Sequence, residues 1–297
     1  MADKYQRIDF RDQISKNKWS SFFLMSIIFI VIVIFGYVIS FAFEPGFFFI
    51  IMIISIVISL SYIWISYYFS DKIAIASVRA QEAKRIDYRD YYSLVEGLTI
   101  ASGLPMPKLY IMNSPQINAF ASGRNPANAV VCVTTGALEK LERRELEGVL
   151  AHEMSHIGNY DIRYMTLVAV MVGMIAIISE IFLRSLWFKS SDSNNGKGNA
   201  IFMIIGIVLA ILAPIIVQLV QLAISRKREY SADASAVKFT RYPEGLIKAL
   251  KKIKYDNSPQ EKKVTKAIAP LFFANPLKEI TSTHPDINKR IEVLERM

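Results

Sequence analysis

The stretch LEKLERRELEGVLAHEMSHIGNY, residues 138–160, decides how this chain is read. Its pattern is helical from Leu138 to about Asn159, and Thr135 is placed to cap the start. Within it, His152-Glu153-Met154-Ser155-His156 fits H-E-x-x-H. Residues i and i+4 share one face of an α-helix, about 6 Å apart along the axis. Two imidazoles so placed can bind one tetrahedral metal ion. A glutamate beside them can take a proton from a water that the metal activates. The small and apolar residues Gly148, Val149, Leu150 and Ala151 just before His152 suit such a helix. The chain has only three histidines, His152, His156 and His284, so a histidine site has few possible members.

A catalytic zinc takes three protein ligands and keeps a fourth position open. Far downstream lies Arg228-Glu229-Tyr230-Ser231-Ala232-Asp233. Glu229 can complete a His₂Glu set. Asp233, one helical turn later, can accept a hydrogen bond from a ligand imidazole and fix its tautomer. On spacing alone, Glu229 fits a salt bridge to the adjacent basic cluster nearly as well.

The segment that separates the two motifs is apolar, and it is not alone. Residues 21–43 and 47–69 contain no charged side chain, and each run is 23 residues long. A helix of that length crosses a hydrocarbon core of about 30 Å. Glu44-Pro45-Gly46 between them predicts a tight turn, hence a helical hairpin. A third apolar stretch runs from about Tyr164 to Phe188. It carries Glu180 and Arg184 at i,i+4 spacing, an interfacial ion pair. A fourth covers Ala200 to Ile224 and includes Pro214, Gln218 and Gln221, which a membrane helix tolerates among its neighbours. The overall composition, 53% hydrophobic with 21% charged, agrees with a membrane protein that carries a polar domain.

Four spans divide the basic residues sharply. Residues 1–19 hold 5 Lys and Arg, residues 70–163 hold 11, and residues 225–297 hold 16, of 35 in all. These three segments fall on one side, which the positive-inside rule makes the cytoplasm. The net charge of +9 is therefore largely a topology signal, and no nucleic-acid-binding motif accompanies it. The expected organisation is a cytoplasmic arm (1–19), a first transmembrane hairpin (20–69), a first part of the catalytic domain (70–163), a second hairpin (164–224) and a second part of the catalytic domain (225–297).

In the polar part, residues 70–104 read as helical and stop at Gly103 and Pro105. Lys108–Met112, Ile117–Ala121 and Ala129–Thr134 read as strands separated by turn clusters, a small sheet of about three strands. The region after the fourth span is mostly helical, broken by an exposed loop at Tyr255-Asp256-Asn257-Ser258-Pro259. Glu145 and Glu147 read as solvated or as favourable to the helix dipole. Asp161 fits either the outer shell of the metal site or a salt bridge with Arg163. The single cysteine, Cys132, excludes an intrachain disulfide and reads as packing.

Taken together, His152-Glu153-Met154-Ser155-His156, Glu229-Tyr230-Ser231-Ala232-Asp233, and Thr283-His284-Pro285 with Arg290-Ile291 resemble the HtpX-type membrane zinc metalloproteases. That group is related to the CAAX prenyl proteases, and Asn118-Ala119-Phe120-Ala121 is similar to its pre-catalytic segment. The resemblance spans nearly the whole chain. It departs at Asp286, where the family often has a second proline. It implies a mainly α fold: four transmembrane helices with a cytoplasmic gluzincin-like α+β zinc protease domain carrying a small sheet. It implies one zinc per chain on His152, His156 and Glu229, with Glu153 as general base. It implies that His284 stabilises the oxyanion, although a turn or cap before Pro285 also explains that histidine. Asp233 would orient a ligand imidazole, and Arg290 reads as structural, bracing Glu229 or Asp233, rather than as catalytic. Asn118, Ala119 and Phe120 would bind substrate backbone along an exposed strand edge, although an ordinary buried sheet explains them too.

The implied activity is cleavage of misfolded or damaged membrane proteins in a multi-pass cell-membrane enzyme, with both termini and the active site cytoplasmic. Expected partners are membrane-protein or unfolded polypeptide substrates, the lipid bilayer, and other membrane proteases or quality-control proteins, but not nucleic acid. Two other classes compete. An inactive membrane-anchored binding protein would have no use for an intact Glu153. A transporter would have only Glu180 and the glutamines as its polar path.

Overall fold

The computed structural model describes residues 10–40, 45–169, 226–256, 271–274 and 285–297. Glu44, most of the third and fourth predicted spans with Glu180, Arg184, Pro214, Gln218 and Gln221, the Asn257–Pro259 part of the predicted loop, and His284 lie outside the described residues.

The first two apolar runs form helices α1 (Phe10–Ser40) and α2 (Phe48–Tyr68), the second preceded by a 3₁₀ turn at Pro45–Phe47. Helix α1 begins inside the segment read as an N-terminal arm. Segments Ile14–Ile34 and Phe48–Tyr68, each of 21 residues, are long and apolar enough to cross a bilayer. Their burial is inside out. The buried residues of α2 are Ser55, Ser59 and Ser66, while Phe49, Ile53 and Ile58 are exposed. Small residues let the two backbones approach. A Cβ added at Gly36 would stand 1.8 Å from Ser55 Oγ. Ser59 Oγ faces Phe29 O at 3.5 Å, so the two helices run antiparallel.

Residues 70–104 do not form one helix. Helix α3 (Ser70–Ser77) ends with Arg79 in the left-handed region, φ 54°. Ala80 N–H donates to Ile75 O and Arg79 N–H to Ala76 O, which closes the helix end as a Schellman motif. A short strand β1 (Gln81–Glu82) follows before α4 (Arg89–Ser102). The usual signal for such a stop is glycine, and here arginine occupies the position.

The sheet therefore has four strands, in the order β1-β2-β4-β3, with β2 at Lys108–Met112, β3 at Ala119–Gly123 and β4 at Ala129–Thr134. Strands β2 and β4 are parallel and the other pairs antiparallel. Every residue of β4 is buried because both faces are covered. Val131 and Val133 join the larger core with Leu94, Leu98, Leu150 and Met154. Val130 and Cys132 face the other way, into a second core with Ala74, Ile75 and Met165. Burial pushes the Cys132 thiol well above its ordinary range, as suits a packing residue.

The predicted helix over 138–159 is two helices, α5 (Thr135–Lys140) and α6 (Arg143–Gly158). The first is capped by Thr134, not Thr135: Thr134 Oγ1 accepts from Ala137 N–H at 3.1 Å. The second has its N-cap at Glu142, and inside its first turn the Glu145 carboxylate accepts from Glu142 N–H at 2.7 Å and from Lys252 Nζ at 2.6 Å. Glu145 is buried rather than solvated. After a turn at Asn159-Tyr160 the chain is helical again over 161–169, here α7.

Downstream, α8 (Arg226–Thr240) and α9 (Pro243–Lys254) pack on α6. A Cβ at Gly148 would lie 2.7 Å from Leu246 N, so glycine sets that approach. The short α10 (Ile287–Leu294) is capped by Asp286, whose carboxylate accepts from Asn288 and Lys289 N–H. The residue that departs from the family pattern thus works as a helix cap.

Candidate metal centre

Helix α6 places His152 and His156 one turn apart, and α8 places Glu229 and Asp233 one turn apart on the facing helix. All four are buried, with His152 and Asp233 at 0% exposure. Ligand atoms of His152, His156 and Glu229 lie within 4.8 Å of one another. The Nε2 atoms of the two imidazoles are 3.1 Å apart. Glu229 Oε1 is 3.6 Å from His156 Nε2, and Glu229 Oε2 is 3.7 Å from His152 Nε2.

Each imidazole is oriented from behind by a carboxylate. His152 Nδ1 meets Asp233 Oδ1 at 2.8 Å, and His156 Nδ1 meets Asp161 Oδ2 at 3.0 Å. A carboxylate accepts, so Nδ1 carries the hydrogen in both rings. Each Nε2 then turns a lone pair toward the same point. Two lone pairs at this separation repel unless a proton or a cation lies between them. The residues present therefore fit a metal ion with two nitrogen donors and one carboxylate.

The surrounding charges agree. Burial and the Arg290 guanidinium push the His152 imidazole down to about 4, against the pull of Asp233. For His156, burial is outweighed by Asp161 and Glu229, which hold it up to about 9. Opposite shifts in two touching rings favour a single proton shared between the Nε2 atoms over two. Arg290 is itself buried and forms a two-pronged contact with Asp233, Nη2 to Oδ1 at 2.6 Å and Nε to Oδ2 at 2.9 Å. Its Nη1 lies 3.5 Å from Glu229 Oε2. It thus braces both acids that the sequence reading offered it.

Glu153 follows His152 on α6 and is 1% exposed. Its Oε1 has no hydrogen-bond partner among the described residues. Burial, aided by the nearby Glu229 charge, pushes its carboxyl up to about 7, while His156 and an Ala121 backbone hydrogen bond pull the other way. A buried carboxyl with one unpaired oxygen beside a cation site is suited to exchange a proton with a water.

A model of Peptidase family M48 matches residues 87–297. The chain belongs to that family. It is similar to the protease HtpX homolog of Dictyoglomus turgidum, 43% identical over 293 residues, 97% of this chain and 95% of the relative. It is also similar to the protease HtpX homolog of Listeria monocytogenes serotype 4a, 41% identical over 263 residues, 83% of this chain and 86% of the relative. Among solved structures, the crystal structure of S. mikatae Ste24p aligns with a TM-score of 0.48 at 19% identity, over 95% of this chain and 66% of that one. The M48 assignment and the HtpX relatives make this chain a membrane metalloprotease with a metal cofactor.

The geometry also places the other residues singled out in this M48 chain. Asn118, just before β3, and Ala119 and Phe120, at its start, are buried on the edge strand of the sheet, beside α6. That edge is taken by the chain itself. Phe273 N–H donates to Ala119 O at 2.8 Å, and Phe120 bridges Phe272 in antiparallel fashion. Asn118 uses its side chain as a peptide would, Nδ2 donating to Ala274 O at 2.8 Å and Oδ1 accepting from Ala274 N–H at 3.0 Å. Phe273 then stands edge-on to His152, ring centroids 4.8 Å apart, with the Arg290 guanidinium 4.7 Å above its ring. The sequence reading missed Phe273, an apolar residue with no local signal of a role. Asp161 turns to His156, while Arg163 donates to Arg124 O, so these two do not pair. His284 lies outside the described residues.

Proposed function

We propose that this membrane metalloprotease is a zinc endopeptidase that cuts misfolded or damaged membrane proteins and unfolded polypeptides at the cytoplasmic face of the cell membrane. The observation that carries the reading is the convergence of His152 Nε2, His156 Nε2 and Glu229 within 4.8 Å, next to a buried carboxyl oxygen of Glu153 that lacks a partner. Two nitrogens and one carboxylate oxygen suit one Zn²⁺ per chain. When bound, zinc supplies Lewis acidity that activates water and polarises the scissile carbonyl.

Glu153 takes the proton of the attacking water and passes it to the leaving amine. Asp233 and Asp161 hold the two imidazoles in the Nδ1–H tautomer, and Arg290 fixes Asp233 and Glu229. His284, by the family resemblance, donates to the carbonyl oxygen as negative charge develops there. An extended substrate pairs with β3 along Asn118-Ala119-Phe120. Support for that mode comes from residues 272–274, which already pair there through backbone contacts that read little side-chain identity. A substrate would have to take their place.

The cytoplasmic orientation, the four spans and the division at 1–19, 20–69, 70–163, 164–224 and 225–297 rest on the apolar runs and the distribution of basic residues. The long apolar segment between His156 and Glu229 would put the site close to the membrane surface and favour substrates already at the bilayer. Other membrane proteases or quality-control proteins are its proposed partners.

Cleavage of an unfolded test protein by the detergent-solubilised enzyme tests the chemistry. The zinc-loaded form should cut, and the chelated and Glu153→Gln forms should not. Equal cleavage by all three would sink the assignment. Retention of stoichiometric zinc by Glu229→Ala would remove Glu229 from the ligand set. Labelling of cysteines placed beside His152 only from outside intact cells would overturn the topology.

A further inference from the structure

Helix α1 does more than occupy an apolar layer. Its Leu24 and Ile28 pack with Tyr164, Leu167 and Val168 of α7. Closer to its N-terminus stands Asn17, a polar residue only 5% exposed. Asn17 Nδ2 donates one hydrogen to Asn159 O at 3.0 Å and the other to Asp161 Oδ1 at 2.7 Å. The next residue, Lys18, sets its ammonium 4.7 Å over the Tyr160 ring. Residues 17 and 18 therefore hold both residues of the turn that joins α6 to α7, and Asp161, the first residue of α7.

That turn has reason to need holding. Tyr160 sits at φ 59°, a conformation disfavoured for a residue with a Cβ. Asp161 is fully buried, and its other oxygen meets His156 Nδ1 at 3.0 Å. A buried carboxylate requires donors on both oxygens if it is to keep its charge and its orientation. His156 satisfies Oδ2, and a residue 144 positions away in sequence satisfies Oδ1. The chain Asn17–Asp161–His156 ends at Nε2, the atom that faces His152 and Glu229.

We propose that Asn17 is a positioning residue for the metal site: by fixing Asp161 it aims the His156 imidazole, so the site is complete only when the first apolar helix is seated against α7. The inference rests on reading His156 as a zinc ligand. Simple docking of the two helices is the work of Leu24 and Ile28, and it need not involve the ring at all. The hydrogen-bond chain predicts a consequence that docking does not, a change at the metal.

The test uses the full-length protein in detergent, with zinc and separately with Co²⁺ as the probe. Zinc affinity is measured by competition with a chelator, the ligand geometry by the visible spectrum of the cobalt form, and the fold by the thermal midpoint. Asn17→Ala should lower zinc affinity several-fold, less than the about 10- to 100-fold typical of losing a direct partner of a ligand such as Asp161, and should alter the cobalt spectrum. Asn17→Asp, which sets a second carboxylate against Asp161, should be worse, and Asn17→Gln should recover part of the loss. Asn17→Ala combined with Asp161→Asn should be no worse than Asp161→Asn alone. Leu24→Ala should lower the midpoint and leave the cobalt spectrum unchanged.

Native zinc affinity and a native cobalt spectrum in Asn17→Ala would overturn the proposal, as would full additivity with Asp161→Asn. If Asn17→Ala does not fold, Asn17→Asp and Asn17→Gln decide by the same two readouts. Wild-type protein that binds no zinc, or keeps it after His156→Ala, would instead refute the reading of the metal site on which the inference stands.

Discussion

The α1–α2 hairpin and the α6–α8 centre bury opposite chemistry. In α2 the buried side chains are serines and the exposed ones are Phe, Ile, Leu and Trp. Between α6 and α8 the buried residues include two histidines, Glu153, Glu229 and Asp233, closed over by Arg290. The first pattern is stable only where the surrounding solvent is itself apolar, because the exposed side chains then lose nothing. The second is stable only where each charge finds an opposite partner, because desolvating a lone ion is expensive. Ser55 in the hairpin satisfies itself locally, its Oγ donating to Ile51 O, four residues back on its own helix. The acids of the centre cannot, and their partners come from other parts of the chain. The hairpin should therefore tolerate loss of a polar group, and the centre should not.

The sharpest way to break this contrast is Arg290→Ala. It strips the guanidinium from Asp233 and Glu229 and should reduce stability by about 3–5 kcal/mol in denaturant titrations of the detergent-solubilised protein. Arg290→Lys should recover little of this, because a point charge cannot reproduce the two-pronged contact with Asp233. A near-native midpoint for Arg290→Ala would mean that water reaches these acids and that the centre is not the closed network described. Next in size, Asp233→Asn should weaken zinc binding about 10- to 100-fold, read by chelator competition, because the amide no longer fixes the His152 tautomer by accepting alone.

Proton linkage gives a smaller and graded effect. His156 is held up to about 9 in the metal-free protein, so it carries a proton at neutral pH, and zinc must displace that proton. Zinc affinity should therefore rise with pH, by up to about tenfold per unit below pH 9. The sign for folding without metal is the reverse. The His156 contribution to stability is fully present below its ordinary value of 6.5 and is lost as pH rises through about 9. A pH-independent zinc affinity between pH 6 and 8 would show that no proton sits between the rings. The smallest effect belongs to the hairpin. Ser59→Ala should change stability by only about 0.6 kcal/mol, the average measured for polar contacts between membrane helices. A loss as large as that of Arg290→Ala would erase the distinction between the two regions.

Much of this was legible in the chain. Lys108–Met112 and Ala129–Thr134 are strands with the bounds the sequence suggests, because a sheet covered on both faces leaves an uninterrupted apolar run. Helix α4 stops at Gly103, which adopts the left-handed conformation expected of glycine there. The breaks at Arg79, Tyr160 and Arg241 use the same conformation with φ between 52° and 59°, but the residues carry a Cβ and give no such warning. Merging α3 with α4 followed from that. Of the two readings of Glu145, solvated or favourable to the helix dipole, the first-turn position agrees with the second. Its burial is not legible because its partner Lys252 is 107 residues away and reaches it only through the packing of α9 on α6.

Sequence alone determined the elements that short-range physics controls. These are the apolar runs long enough for a bilayer, the i,i+4 spacing that puts His152 and His156 on one helical face, and the adjacent Glu153. Hydrophobic length and helical periodicity are properties of neighbouring residues, so they can be read before any fold is known. Tertiary structure decided what each charge is for. Only the packing of α8 on α6 brings Glu229 to within 3.7 Å of both imidazoles. Only the seating of α1 on α7 brings Asn17 to Asp161, and only the return of residues 271–274 to β3 places Phe273 against His152. A buried charge must be satisfied wherever a partner exists, and some of those partners lie as far as 57 residues away, as Arg290 does from Asp233, or 144, as Asn17 does from Asp161.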